Sequence, residues 1–154
     1  MNKKIALLCV TCLAAAAALL EMKKMSVGQK PTGIMISEVC SKNERVIYDS
    51  TGEYIDYVEL YNPLDYAVDL SGYRLSDNEA FENAYIIEEG ILESGQYKVI
   101  FPKSFGISDY EIVYLLDSSF NVLDSVRMPV LAADSSFARD LQRNPVSYTH
   151  LRAH

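Results

Sequence analysis

The sequence predicts an all-β fold. Seven short runs rich in apolar, β-branched and aromatic residues recur between Ile34 and Met128: IMISEVC, YIDYVELYN, YRLSD, AYIIEE, QYKVIF, EIVYLLD and NVLDSVRM. Turn residues separate the runs, at spacings near the roughly 8 to 12 residues that are typical of sandwiches and barrels. After Leu20 no stretch has the apolar period of a helix.

The second run indicates the kind of sheet. In YVELY, strand alternation turns Val58 and Leu60 inward and leaves Tyr57, Glu59 and Tyr61 on the other face. Strands with one apolar and one mixed face form antiparallel sheets that are covered on one side. Two such sheets stacked face to face predict an immunoglobulin-like antiparallel β-sandwich.

The N-terminal segment differs from the rest of the chain. Lys3 and Lys4 precede an apolar run from Ile5 to Leu20 that ends in small residues. This arrangement is typical of an export signal. The run is shorter than the roughly 20 residues that a membrane-spanning helix needs, so residues 1–20 are predicted to be a cleaved signal peptide rather than a short membrane anchor. We therefore expect an extracellular or cell-surface location, with the membrane contacted only if the segment is uncleaved.

Three further segments follow the signal segment. Residues 21–33 lack an apolar period and are predicted to be a linker, and residues 34–140 form the predicted β-sandwich. Residues 141–154 lose the β pattern and are predicted to be a tail outside the domain. Because PVSYTHLRAH resembles the translated adapter-like end of a gene broken at the edge of a sequence assembly, we expect the natural protein to continue differently beyond about Asp140.

Proline and glycine positions predict the turns. Asn62-Pro63 ends the second run, since proline restricts its own φ and its neighbour's backbone. Gly72 supplies a position where positive φ costs little. We expect Asp56 to Asn78 to form a strand, a tight turn and a returning strand.

Charge excludes one class of partner. Between Gly33 and Asp140 the chain has seven Lys and Arg against twenty Asp and Glu, a formal charge of −13. Binding to phosphate backbones needs dense basic residues. Nucleic acid is therefore not an expected partner of this domain.

Several motifs occur in the order of a known family. ISEV at Ile36–Val39, DYVELYNP at Asp56–Pro63 and VDLSGYRLSD at Val68–Asp77 precede LESGQYKVI and NVLDSV. Together they resemble the lamin-tail domain, over residues 34–139. Tyr57 stands where bacterial members often have Trp. The resemblance implies an immunoglobulin-like sandwich, found in nuclear lamins and in exported bacterial proteins, and implies no catalytic residue.

The residues themselves also give no catalytic constellation. Both histidines, His150 and His154, lie outside the predicted domain, so neither a histidine-dependent nucleophile nor a histidine zinc site is expected within it. Glu38 and Glu59 have the residue type of an acid–base pair. We interpret them as structural carboxylates, hydrogen-bonded to nearby backbone or to Arg74. Cys40 is predicted to be a buried apolar residue that forms no internal disulfide once the leader is removed.

We expect the domain to have no cofactor, and calcium is the one alternative. Hard oxygen ligands cluster in two predicted loops. One loop has Asp49, Ser50 and Glu53; the candidate metal ligands of the other are Asp77, Asn78, Glu79 and Glu82. Neither has the spacing of an EF-hand, and both are interpreted mainly as acidic loops that keep the domain soluble.

Tyrosines are the candidate binding residues. Tyr57, Tyr61, Tyr66 and Tyr73, with nearby Tyr54, lie close in sequence and predict a shared exposed face. Tyrosine is favoured at interfaces because it combines a large apolar area with a polar tip. The interpretation we favour is nevertheless that most of them pack on neighbouring strands.

These observations favour a non-catalytic binding or scaffolding module of an exported bacterial protein, with a protein or glycan partner at the cell surface. Two alternatives stay open. The domain could be the N-terminal accessory part of a truncated larger exported enzyme, such as a spore-coat-type kinase or a nuclease, or it could be a calcium-dependent adhesion domain.

Overall fold

The computed structural model describes residues 33–147, which contain eleven strands. These are β1 (Met35–Cys40), β2 (Tyr57–Tyr61), β3 (Val68–Asp69), β4 (Arg74–Ser76), β5 (Tyr85–Ile86), β6 (Ile91–Leu92), β7 (Tyr97–Ile100), β8 (Ile112–Leu116), β9 (Val122–Arg127), β10 (Phe137–Arg139) and β11 (Pro145–Ser147). The predicted signal peptide, most of the predicted linker and both histidines lie outside the described residues.

The strands form three antiparallel sheets. The largest has the order β11-β10-β1-β2-β7, the second has the order β5-β4-β8-β9, and β3 pairs with β6. No helix in residues 33–147 is long and apolar enough to span a membrane. The all-β prediction, an immunoglobulin-like antiparallel sandwich, is confirmed.

The core lies between the two larger sheets. Val58 and Leu60 of β2 are fully buried, as the alternation predicted, and β8 contributes Val113 and Leu115 from the opposite sheet. Such burial is the main favourable term in folding. Cys40 is also fully buried, which confirms its predicted packing role, and burial raises the pKa of its thiol to about 11.

A β-bulge in β1 adjusts which side chains face the core. Ile36 is opposite Leu60, but the next pair is Glu38 with Glu59, so Ser37 is the extra residue. The Ser37 hydroxyl donates to the Glu59 carboxylate, with an Oγ–Oε1 distance of 2.7 Å. Inserting one residue reverses the alternation. Ile36 and Val39 can therefore both join the core.

A buried ion pair links the two larger sheets at this bulge. The Ile36 amide donates to Asp124 Oδ2 of β9 at 2.9 Å, and Arg139 Nη2 of β10 donates to the Ile36 carbonyl at 2.6 Å. Arg139 Nη2 and Asp124 Oδ2 are 2.5 Å apart, and the two side chains are only 7% and 3% exposed. Both backbone groups of Ile36 are therefore satisfied by charged side chains.

The segment Asp56–Asn78 does not form the predicted strand and returning strand of one unit. β2 pairs with β1 and β7, whereas β4 pairs with β5 and β8. The chain crosses from one sheet to the other between them, and β3 forms part of the small sheet. Gly72 has the expected positive φ, 82°, in the turn before β4.

The sheet also continues past the predicted domain boundary at residue 140. Ala138 pairs with Ser147, and Arg139 pairs with Pro145. A tight turn makes this possible, since Asp140 accepts hydrogen bonds from the Gln142 and Asn144 amides, both at 2.8 Å. The sequence pattern missed β11 because Pro145–Ser147 is too short to show an apolar alternation.

Candidate functional site

The long segment between β1 and β2, residues 41–56, is held in place by a buried asparagine. Asn43 Nδ2 donates to the carbonyls of Ile47 and Ile55, at 2.6 and 2.8 Å. Its Oδ1 accepts from the Val46 amide at 3.1 Å. Long loops in compact domains are often functional, and in this one a single side chain joins backbone groups that are up to twelve residues away.

Two charged residues anchor the start of this loop to distant parts of the domain. Lys42 Nζ pairs with Asp109 at 2.9 Å and donates to the Leu131 carbonyl at 2.8 Å. Asp134 Oδ1 accepts from the amides of Glu44 and Arg45, at 2.8 and 2.9 Å. The loop is thus tied to the segments on either side of β8 and β9.

Asp49 organises the tip of the loop. Its Oδ1 accepts from the Thr51 amide at 2.8 Å, the Thr51 hydroxyl at 2.7 Å and the Glu53 amide at 3.0 Å. Its other oxygen pairs with Lys103 Nζ. Lys103 and Thr51 hold the pKa of this carboxyl well below its usual range. Asp49 therefore stays ionised, and a lysine already neutralises it.

A cleft of about 430 Å³ opens beside the loop. We call it the Asp56 cleft; its apolar wall is formed by Ile55, Pro102 and Phe105, and its carboxylates are Asp49, Glu53 and Asp56. Asp56 Oδ2 accepts from the Ile107 amide at 2.8 Å. Burial raises the pKa of Asp56, and among residues 33–147 no ion pair reaches it. Lys103 also lines the cleft but is paired with Asp49, so the cleft combines an apolar wall with two carboxylates, Glu53 and Asp56, that lack a described cationic partner.

Two exposed tyrosines of the β1–β2 loop flank Asp49 and Glu53 in sequence. Tyr48 and Tyr54 are 66% and 44% exposed, and their rings meet edge to face with centroids 6.1 Å apart. Such an arrangement is favourable for aromatic pairs. Tyr48 was not among the predicted binding residues, because its position outside the strand runs gave no signal. It is brought to Tyr54 only by the fold of the loop.

Tyr57 packs in the domain, as favoured for most of these tyrosines, and does not lie on an exposed face. Tyr57 is 1% exposed, and its hydroxyl donates to Glu38 at 2.8 Å. Tyr61 is half-buried and stacks on Tyr97 with ring centroids 4.5 Å apart. Tyr73 packs partly against the core, so Tyr66 is the most exposed of the four candidates, at 59%. A period-2 pattern cannot show that both faces of β2 are buried.

The predicted second calcium loop forms a closed turn. Asn78 Nδ2 donates to Asp77 Oδ1 at 2.9 Å and to the Glu82 carbonyl at 3.0 Å. Glu79 accepts a long hydrogen bond from Tyr114, at 3.4 Å. In the part of the chain that the structure describes, no three His, Cys, Asp or Glu side chains are grouped as metal ligands would be. The calcium assignment stays a prediction without geometric support.

The candidate acid–base pair is brought together by the β1–β2 ladder. Glu38 and Glu59 are opposite each other in register. Tyr57 donates to Glu38 and Ser37 donates to Glu59, so both carboxylates take part in hydrogen bonds between β1 and β2. Arg74, the other partner suggested for these carboxylates, donates to the Gly72 carbonyl at 2.9 Å and lies over the Phe120 ring.

The two packed antiparallel sheets define an immunoglobulin-like domain. The sequence profile of the Lamin Tail Domain matches residues 28–129. The chain belongs to that family, which is non-catalytic and compatible with a binding or scaffolding role. No curated protein matches the chain. The match ends before β10, so the profile does not include Arg139.

Proposed function

We propose that the chain is a non-catalytic binding or scaffolding module of an exported bacterial cell-surface protein, and that its β1–β2 loop contacts a protein or glycan partner there. One observation carries the proposal: Asn43 holds the loop together, and its exposed Tyr48 and Tyr54 adjoin in sequence Asp49 and Glu53, which line an apolar, acidic cleft. A loop that is already ordered loses less conformational entropy on binding than a mobile one.

Tyrosines suit the contact surface for a physical reason. Their rings supply a large area with few rotatable bonds, and the hydroxyl can reach a polar group of the partner. Aromatic residues are also enriched among the residues that dominate binding energy. Export and a surface location are supported by the composition of residues 1–20 and by the occurrence of related domains in exported bacterial proteins.

The test compares two pairs of exposed tyrosines. The full chain is immobilised and exposed to fractionated cell-wall extract, with Tyr48→Ser/Tyr54→Ser as the test variant. The matched control is Tyr97→Ser/Tyr110→Ser, which removes two tyrosines of similar exposure, 46% and 68%, that lie outside this loop. We expect the loop variant to reduce capture of the partner by about tenfold or more, while the control retains it. Equal capture by both variants, or no partner above background, would contradict the proposal.

A further inference from the structure

We infer that the Asp56 cleft receives an arginine or lysine side chain of a protein partner. The inference rests on the proposed function and specifies the chemistry of its contact. Among the described residues, the cleft combines an apolar wall with Asp56 and Glu53, and neither carboxylate is in an ion pair within residues 33–147.

The geometry of the cleft fits a long cationic side chain better than a purely apolar one. Arginine and lysine bury their aliphatic stems against apolar surface while the charged head seeks a polar partner. Ile55, Pro102 and Phe105 offer that surface. The Phe105 ring would also attract a cation placed over its face.

The neighbouring carboxylate already shows this chemistry within the domain. Lys103 reaches Asp49 at the boundary between the Asp56 cleft and a second cleft of about 410 Å³. Asp49 is thereby neutralised, but Asp56 has only neutral donors such as the Ile107 amide among its described partners. A cation at Asp56 would offset the unfavourable burial of its charge.

Gly106 lines the cleft close to Asp56. A Cβ built at Gly106 would lie 3.8 Å from Asp56 Oδ2. Any longer side chain there would compete with a ligand for the space in front of the carboxylate. This supplies a way to block the cleft without removing a charge.

Charge complementarity favours a basic partner over the alternatives. The domain has a formal charge of −13 between Gly33 and Asp140, which repels anionic surfaces and attracts cationic ones. General attraction would be spread over the whole surface, however. A specific site must therefore be distinguished from it by position and by ligand shape.

The test uses blocked pentapeptides Gly-Gly-X-Gly-Gly, where X is arginine, lysine, citrulline or leucine, titrated into the isotope-labelled full chain. Amide chemical shifts of Thr51, Gly106 and Ile107 report on the cleft. We expect the arginine and lysine peptides to shift these amides in a saturable way. Citrulline matches arginine in shape without its charge and should bind about tenfold or more weakly.

Two variants test the position, and a third controls for charge. Glu53→Gln/Asp56→Asn should abolish the saturable shifts, and so should Gly106→Leu, which leaves every charge in place. Glu88→Gln/Glu89→Gln also removes two negative charges, but beside the second cleft, and this variant should retain binding. Equal loss in both double variants would mean nonspecific attraction and would overturn the inference. The Gly106→Leu result decides the matter if the Asp56 variant fails to fold.

Further results of these experiments distinguish a different ligand of the cleft and separate this inference from the proposed function. Stronger shifts with spermidine than with the arginine peptide would assign the cleft to a free polyamine and would overturn the inference. If the peptides fail while partner capture still depends on Tyr48 and Tyr54, the binding function stands and the cationic contact is wrong. If the peptides bind but capture does not depend on those tyrosines, the proposed contact surface is wrong instead.

Discussion

Two buried asparagines form hydrogen bonds with the backbone of two different loops. Asn43 spans the β1–β2 loop through the Ile47 and Ile55 carbonyls, and Asn62 donates to the carbonyls of Tyr66 and Leu92, both at 2.8 Å. An amide side chain has two donors and an acceptor, so one residue can satisfy several backbone groups where no strand pairs with them. The sequence signalled Asn62 through its proline, but nothing distinguished Asn43 from a surface residue.

At the same scale, the Arg139–Asp124 pair is expected to be essential to stability. Arg139→Met should lower the free energy of unfolding by about 3 kcal/mol, because Asp124 would be left buried without its main cation. This is the lower end of the usual range, since the Ile36 and Ser125 amides still donate to Asp124. Urea denaturation of the full chain measures the effect.

The matched control for this prediction is Arg127→Met. Arg127 is exposed and donates to the Tyr110 carbonyl at 3.1 Å, so the same chemical change should alter stability by about 0.5 kcal/mol or less. If both variants lose the same stability, the buried pair has no special role at the bulge.

At the scale of elements, β10 and β11 make unequal contributions. Phe137 of β10 belongs to the core and Arg139 completes the ion pair, whereas Val146 of β11 is 57% exposed. The free energy of unfolding of a chain ending after Asp140 should therefore be lower by about 1 kcal/mol or less. Most of this loss comes from the contact between Arg143 and Asp124, which are 3.7 Å apart. A chain ending after Pro129, where the family match stops, should not fold cooperatively.

Near-ultraviolet circular dichroism of the tyrosines during heating distinguishes these outcomes. The longer chain should give a sharp transition close to that of the full chain, and the shorter one should give none. A cooperative transition for the chain ending after Pro129 would mean that β1 and the bulge are stable without β10.

The strands were more predictable than their pairing, for a physical reason. Alternation in YVELY depends on local geometry and correctly turned Val58 and Leu60 inward. Which sheet a strand joins depends on contacts far apart in sequence, so β2 and β4 were wrongly taken as one unit. The bulge at Ser37 is likewise set by distant residues, Asp124 and Arg139, rather than by its own run.

The candidate site was predicted less well than the fold. The acidic composition around Asp49 was visible, but its pairing with Lys103 depends on two loops meeting. Tyr57 followed the strand pattern of an exposed residue and is buried. Composition indicates which chemistry is present, whereas a site is defined by which side chains the fold leaves without partners.

At the scale of the whole molecule, the carboxylates determine how stability depends on pH. Lys103 and Thr51 lower the pKa of Asp49, and Lys42 lowers that of Asp109. A carboxyl whose pKa is lower in the folded state stabilises the fold above its unfolded pKa, near 3.8, and loses that contribution as pH falls. Asp56 has the opposite effect. Because burial raises its pKa, protonation of this carboxyl as pH falls stabilises the folded state.

Because more carboxyls have lowered than raised pKa values, the urea midpoint of the full chain should fall as pH decreases from about 5 to 2. Asp49→Asn should be less stable at pH 7 but should depend less on pH, so that its curve approaches that of the wild type in acid. The control Asp65→Asn, at an exposed position, should follow the wild type throughout. Relief of charge repulsion acts in the opposite direction, and repeating the series in high salt removes that contribution. Parallel curves for the wild type and Asp49→Asn would show that the Lys103 contact does not stabilise the fold.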